Sequence, residues 1–262
     1  MKTLLPVCAG LLFGATALHA DSVPLDFETA NQFTNSFRVL NANGATITQT
    51  SNGVANDYMQ SSAGSGSAVV FDVNGSTTGI SSFTVSQATS LTVSADISFT
   101  VSTNSFGIYI INAANEAEGY LAIFNVNNSS TNDQIRYANG VVNPTTSAAG
   151  TLVAGSSGFA NNADTGINLG GVFGNVSFTY SINGANAPVL TMTAGSQTSS
   201  YTIAGTAFTE VEVGFRFGSS SGIVAMDNLN IATSAVPEPS TYAALAGFAV
   251  LGLVALRRRE NR

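Results

Sequence analysis

The sequence predicts an all-β protein, a single antiparallel β-sandwich between two short apolar termini. Three observations carry that prediction. Several segments alternate apolar and polar residues with period two, the signature of strands that bury one face. Asn-Gly pairs, which favour tight hairpin turns, separate them at Asn43-Gly44, Asn52-Gly53, Asn74-Gly75, Asn139-Gly140 and Asn183-Gly184. Charged residues are only 9% of the 262, and Trp is absent. No segment outside the two ends shows sustained helical periodicity.

In chain order, residues 1–20, "MKTLLPVCAGLLFGATALHA", place Lys2 before an apolar run and small residues. This is the layout of a secretory signal peptide, cleaved after Ala20 or after Ala17. The sandwich is expected over 22–232. Its clearest strands are Leu91–Phe99, Val176–Ile182 and Glu210–Phe217. The first puts Leu91, Val93, Ala95, Ile97 and Phe99 on one face. The last turns Val211, Val213, Phe215 and Phe217 inward, with Glu210, Glu212 and Arg216 outward. About a dozen such strands over this length fit one domain. The Gly/Ser/Asn-rich stretches at 61–67 and 145–162 read as loops. Residues 233–241, with Pro237-Glu238-Pro239, read as a linker.

Tyr242 to Leu256 forms an apolar stretch about 22 Å long as a helix, short of a roughly 30 Å bilayer core. Tyr242 and the basic tail 257–262 can anchor its two ends. Arg257, Arg258 and Arg259 are expected to stay cytoplasmic by the positive-inside rule. Read as a transmembrane helix at 242–256, this segment leaves the sandwich outside.

Composition excludes whole classes of chemistry. Between Asp21 and Val236 there are three Arg and 13 Asp plus Glu, so the body carries 3 − 13 = −10. Such a body repels nucleic acid and anionic lipid, leaving divalent cations and neutral polysaccharide as compatible partners. The sole Cys8 and sole His19 lie in the leader. A thiol nucleophile, a His-based triad and a Cys/His zinc site are therefore excluded for the body.

The order Pro237-Glu238-Pro239, short apolar helix, terminal Arg cluster resembles the PEP-CTERM sorting signal of Gram-negative bacteria. The resemblance implies Sec-dependent export, transient inner-membrane anchoring, exosortase processing near the Pro-Glu-Pro motif, and release to the cell surface or extracellular matrix. The body is similar to the concanavalin A-like or jelly-roll modules that often precede such tails, through "PLDFETA", "VSFTYSINGANAPVLTMTAG" and "VGFRFGSSSGIVAMDNLNI". That likeness implies paired first and last strands and a lectin-like, adhesive or carbohydrate-binding role, with hydrolases in the minority.

Asp26, Glu28 and Asp227 are the candidate metal ligands. Asp26 and Glu28 share a face if the first strand continues, and Asp227 approaches if the last strand lies beside it. Simple alternation groups Asp227 with Ala225 and Leu229, so that approach needs a bulge at Asn228. Oxygen ligands without nitrogen or sulfur suit structural calcium, which jelly-roll carbohydrate modules often carry. The competing reading is solvated or locally hydrogen-bonded carboxylates. The same-face pairs Glu116/Glu118 and Glu210/Glu212 could serve a glycan hydrolase or lyase, but read more simply as solvated edge charges. Tyr58, Tyr109, Tyr120, Tyr137 and Tyr201 are candidate sugar platforms, with Arg136 as a polar contact, although their apolar neighbours favour core positions. The expectation is a non-enzymatic exported protein with no catalytic residues, binding extracellular polysaccharide or copies of itself in a biofilm matrix. The identity of any ligand-binding residues is left open.

Overall fold

The computed structural model describes residues 22–41, 46–50, 57–61, 64–71, 82–116, 118–125, 133–139, 151–152, 167, 172–205, 207–219, 222–236 and 251. Within them the alternating segments form strands that assemble into two antiparallel sheets. One sheet runs β14-β13-β12-β7-β16-β4-β3, and the other β11-β10-β9-β8-β15-β5-β2. The strands of the first are β3 (Ile47–Thr50), β4 (Tyr58–Ser61), β7 (Thr89–Phe99), β12 (Gly174–Ile182), β13 (Pro188–Ala194), β14 (Gln197–Thr202) and β16 (Val224–Ala235). Those of the second are β2 (Phe37–Asn41), β5 (Gly64–Phe71), β8 (Ser105–Asn112), β9 (Glu118–Asn125), β10 (Gln134–Asn139), β11 (Thr151–Leu152) and β15 (Glu210–Ser219). The short β6 (Phe83–Thr84) pairs with β15, and β1 (Ser22–Leu25) pairs with β16, so first and last strands are neighbours.

Period two decides which residues enter the core. On β7, β12 and β15 the expected inward residues are at most 4% exposed, and Leu91, Val93, Ile97, Phe178 and Phe215 are wholly buried. Each such side chain contributes roughly 1.5–3 kcal/mol of burial free energy. Aromatic rings concentrate in two places. Phe37 packs on Phe27, Phe33 and Phe215, which continues to Phe106 and Phe217. Elsewhere Tyr120 stacks on Tyr180 and Phe208.

Several details depart from the sequence expectation. A five-residue helix, α1 (Gln32–Ser36), lies between β1 and β2. It was illegible as a helix because it is little more than one turn. Gly64–Ser67, expected in a loop, belong to β5. The last strand runs past 232 to Ala235, into the expected linker. Asn183-Gly184 does turn the chain between β12 and β13: Asn183 Oδ1 accepts from the N–H groups of Ala185 and Ala187, 3.0 Å each. Of the other four Asn-Gly pairs only Asn139, the last residue of β10, is described; the rest, the signal peptide, the Pro-Glu-Pro motif and the Arg cluster lie outside the described residues. Of the apolar tail only Leu251 is described, helical and 65% exposed. Among the described residues no helix is long and apolar enough to cross a membrane.

Candidate functional site

β16 creates an irregular place in its sheet. One side pairs throughout with β7, but on the other the partner changes. Val224 to Met226 pair with β4, and Leu229 to Ala232 pair with β1. The break falls on a bulge between Asp227 and Asn230, where Asn228 adopts a left-handed backbone with φ 48°. This inserted residue returns Leu229 to the core, 1% exposed, while Asp227 stays on the outer face opposite Asp96. The required bulge therefore exists at Asn228.

The seam gathers carboxylates. β1 stops at Leu25, and Phe27 turns left-handed with φ 58°, so Asp26 and Glu28 are not alternate residues of one strand as expected. Instead Asp26 Oδ1 accepts from Glu28 N and Gln32 Nε2, both at 3.2 Å, closing the turn into α1. Asp96 Oδ1 accepts from Asn175 Nδ2 and its Oδ2 from Asn228 Nδ2, 2.9 Å each. Asp227 Oδ1 accepts from Asn228 N at 2.7 Å. Burial, and then the neighbouring charges of Asp96, Glu28 and Asp26, raise the Asp227 carboxyl above its ordinary pKa against the pull of that backbone bond. Asp26, Glu28 and Asp227 thus share one electrostatic neighbourhood. Among the described residues, however, no three acidic, His or Cys side chains converge as a metal ligand set. As placed, Asp26, Asp96 and Asp227 hold amide donors.

Beside the carboxylates lies an aromatic bridge. Met59 pairs with Met226, which sets Tyr58 next to Asp227, one step past the end of that ladder. The Tyr58 ring meets Phe173, the residue before β12, edge-on at 5.7 Å. β7 and β16 separate the strands bearing these rings, so the rings meet above them. The outward residues beneath, Ser98 and Ala225, are small and only 6% and 3% exposed. Phe173 remains 37% exposed and Val172 58%. A separate, solvent-open cavity of about 460 Å³ opens at the β3 edge, lined in part by Glu28, Asn31, Phe33, Ile47, Gln49 and Asp57. Ile47 and Gln49 pair with the inward residues Ser61 and Met59, so it lies on the other face of the sheet from Tyr58. Gln49 Nε2 ties its wall by donating to the carbonyls of Phe27 and Thr29. On the outer face a ring edge, amides and carboxylates together offer stacking and directional hydrogen bonding, the chemistry suited to a polar, C–H-rich ligand.

The remaining candidates fall elsewhere. Tyr109 and Tyr120 are 1% and 2% exposed and offer no platform. Burial pushes the Tyr109 hydroxyl up to about 12. Tyr137 packs against the core, and Tyr201 is half-buried, its hydroxyl 3.4 Å from Ser199 Oγ. Arg136 binds its neighbour Gln134, with Nε 2.9 Å from Oε1. One glutamate of each pair lies beside Arg38. Its Nη2 lies 3.1 Å from Glu116 Oε1 and 4.0 Å from Glu212 Oε2. Glu118 accepts from Asn112 Nδ2 at 3.3 Å, and Glu210 is exposed. Phe173, Asp96 and Asn175 escaped the sequence reading. The alternation of β7 and β12 did mark Asp96 and Asn175 as outward, but nothing local distinguishes them from other surface residues.

Comparison with solved structures defines the fold: the body is a lectin-like β-sandwich, similar to a carbohydrate recognition domain. The potassium-bound carbohydrate recognition domain of Emp46p superposes with TM-score 0.52 at 8% identity, covering 80% of this chain and 95% of that one. Its metal-free form gives 0.51 at 8%, covering 80% and 94%. Carbohydrate binding module CBM66 from Bacillus subtilis gives 0.44 at 11%, covering 75% and 95%. At these identities the likeness is one of fold. No curated protein matches by sequence. The second step is specific: residues 235–259 match the PEP-CTERM protein-sorting motif. The chain carries an exosortase sorting signal, which marks export and surface sorting in Gram-negative bacteria.

Proposed function

We propose that this chain is a non-enzymatic surface or matrix protein whose sandwich binds neutral extracellular polysaccharide at the β16 seam. The Sec translocon exports it. The helix at 242–256 holds it briefly in the inner membrane, with Arg257, Arg258 and Arg259 in the cytoplasm. Exosortase cleavage near Pro237-Glu238-Pro239 then releases it, so exported protein lacks 257–262 by intact mass. The observation carrying the binding reading is the pair of half-buried Tyr58 and exposed Phe173 beside the Asp96, Asp227, Asn175 and Asn228 network. Sugars present C–H faces to rings and hydroxyls to such carboxylate and amide groups. The carbohydrate-recognition name of the Emp46p neighbour supports the same class.

Binding of neutral polysaccharides by calorimetry tests this. Phe173→Ala and Tyr58→Ala should each weaken binding at least tenfold while leaving the melting temperature within a few degrees. Unchanged affinity in both variants rejects the seam as the site. Structural calcium at Asp26, Glu28 and Asp227 is a second part of the proposal. It rests on the gathering of Asp26, Glu28, Asp96 and Asp227 at the seam, whose charges add to burial in raising the Asp227 carboxyl and would be relieved by a divalent ion if the carboxylates exchanged their amide donors for it. A glycan-cleaving enzyme remains the alternative, tested by reducing-end release with and without Glu116→Gln and Glu212→Gln.

A further inference from the structure

Exposed sheet edges are usually protected by shortness, charge, proline or bulges, because their unpaired backbone groups template pairing with another chain. Among the described strands that pair on one side only, all but one have such protection: β1 has four residues with Pro24, and β6 only two. β3 has four residues and β11 two, while β2 carries Arg38 and a bulge between Val39 and Asn41. β14 differs. Its six residues pair with β13 in unbroken register, from Ala194 with Gln197 to Val189 with Thr202. A two-residue turn, Gly195-Ser196 with Gly195 at φ 55°, closes the hairpin cleanly. From Gly195 to Phe208 the sequence holds no charge and no proline.

The register also shows which backbone groups are open. Ile203 N donates to Pro188 O at 2.9 Å, making that a hydrogen-bonded pair. Such pairs alternate in an antiparallel ladder, so Tyr201, Ser199 and Gln197 bond to β13. Thr198, Ser200 and Thr202 then aim their N–H and C=O groups away from it, and all three are exposed. Their hydroxyls are tied sideways, with Ser200 Oγ 2.8 Å from Thr191 Oγ1 and Thr198 Oγ1 3.2 Å from Thr193 Oγ1.

We infer that β14 is an interface for a second copy of this chain, pairing antiparallel edge to edge about a twofold axis at Ser200. Ser200 lies opposite itself, and Thr198 lies opposite Thr202 of the other copy. Every outward donor then meets an acceptor, because the pattern is self-complementary. Charge selects the place. Copies of a body carrying −10 repel each other generally, and this edge brings none of those charges together. The inference is independent of the glycan reading.

Cysteine placement tests it in the full chain with Cys8→Ser, which removes the only native thiol. Cα atoms of a hydrogen-bonded antiparallel pair are about 5.5 Å apart, within the range a disulfide spans. Ser200→Cys should give a covalent dimer on mild oxidation. Ser177→Cys, on the interior strand β12 of the same face, should give at least tenfold less. Ser200→Pro removes only an outward N–H, so it should keep the melting temperature and weaken self-association at least tenfold by sedimentation velocity. A monomeric Ser200→Cys protein, equal crosslinking by Ser177→Cys, or undiminished association of Ser200→Pro would each overturn the inference. The last result would assign association to another surface.

Discussion

Tyr180→Phe isolates one oxygen whose loss has a calculable cost. Tyr180 is wholly buried on β12, and its hydroxyl clamps the chain where β14 crosses to β15 in the opposite sheet. It donates to Phe208 O at 3.1 Å and accepts from Phe208 N at 2.6 Å. Burial raises its pKa to about 12, so the phenol remains a neutral donor at physiological pH. Phenylalanine keeps the ring and its packing on Tyr120 and Phe208, leaving little cavity. The change strands two buried backbone groups at about 1–3 kcal/mol each, and about 3 kcal/mol in total is expected. With a urea m-value of about 2–3 kcal/mol/M for a domain of this size, the unfolding midpoint should fall by about 1–1.5 M. Tyr201→Phe is the control, since its half-buried hydroxyl has only the long contact to Ser199 and should move the midpoint little. A fall below about 0.3 M for Tyr180→Phe at constant m would refute the clamp.

Asp133 gives a pH signature. Burial lifts its carboxyl to about 7 from 3.8, outweighing hydrogen bonds from Asn125 N and Nδ2 to its Oδ1. Because the folded value is raised, its stabilising contribution is complete below about pH 3.8 and is lost as pH rises through 7. That loss is about 4 kcal/mol, and Asp133→Asn should flatten this part of a stability–pH curve measured by urea unfolding. A variant curve parallel to the wild type between those values would refute the assignment. Gly119→Ala would place a Cβ 2.8 Å from Ile110 O, a backbone atom of the neighbouring strand. A loss of about 1–3 kcal/mol in thermal unfolding is expected, and an unchanged midpoint would show that β8 yields freely. Millimolar calcium should raise the melting temperature of the wild type and leave Asp227→Asn unmoved; no shift in the wild type removes calcium from the proposal.

How legible these features were depends on what local alternation can encode. β7, β12 and β15 were readable because each buries a single face, and the same period revealed that Asp227 needs a bulge to share a neighbourhood with Asp26. β8 and β9 were not. Beyond the core residues Ile108, Ile110, Tyr120 and Phe124, their outer-face side chains Tyr109, Ile111, Leu121 and Ile123 form a second buried cluster. Apolar runs such as "FGIYII" and "YLAIF" show no period when both faces are covered. Arg216 was rightly turned from the core, yet it is 5% exposed, its Nη1 2.9 Å from Ser105 Oγ. The absent side chain of Gly218 makes that possible, since a Cβ there would sit 2.7 Å from Nη1. The Tyr58–Phe173 contact joins residues with two strands, β7 and β16, and 114 residues of chain between them. Only tertiary structure brings them together, so no local pattern announces it.

The antiparallel pairing of β1 with β16 sets Ser22 opposite Ala232, so both ends of the body emerge at one pole. Asp227 lies eight residues before Ala235 on the final strand, about 25 Å away along it. A molecule held by its tail therefore stands on that pole and points its bulge toward the surroundings. Under the proposed function, large polymers would reach the seam while the chain is still tethered, and release would change how far the protein travels without changing which end meets them.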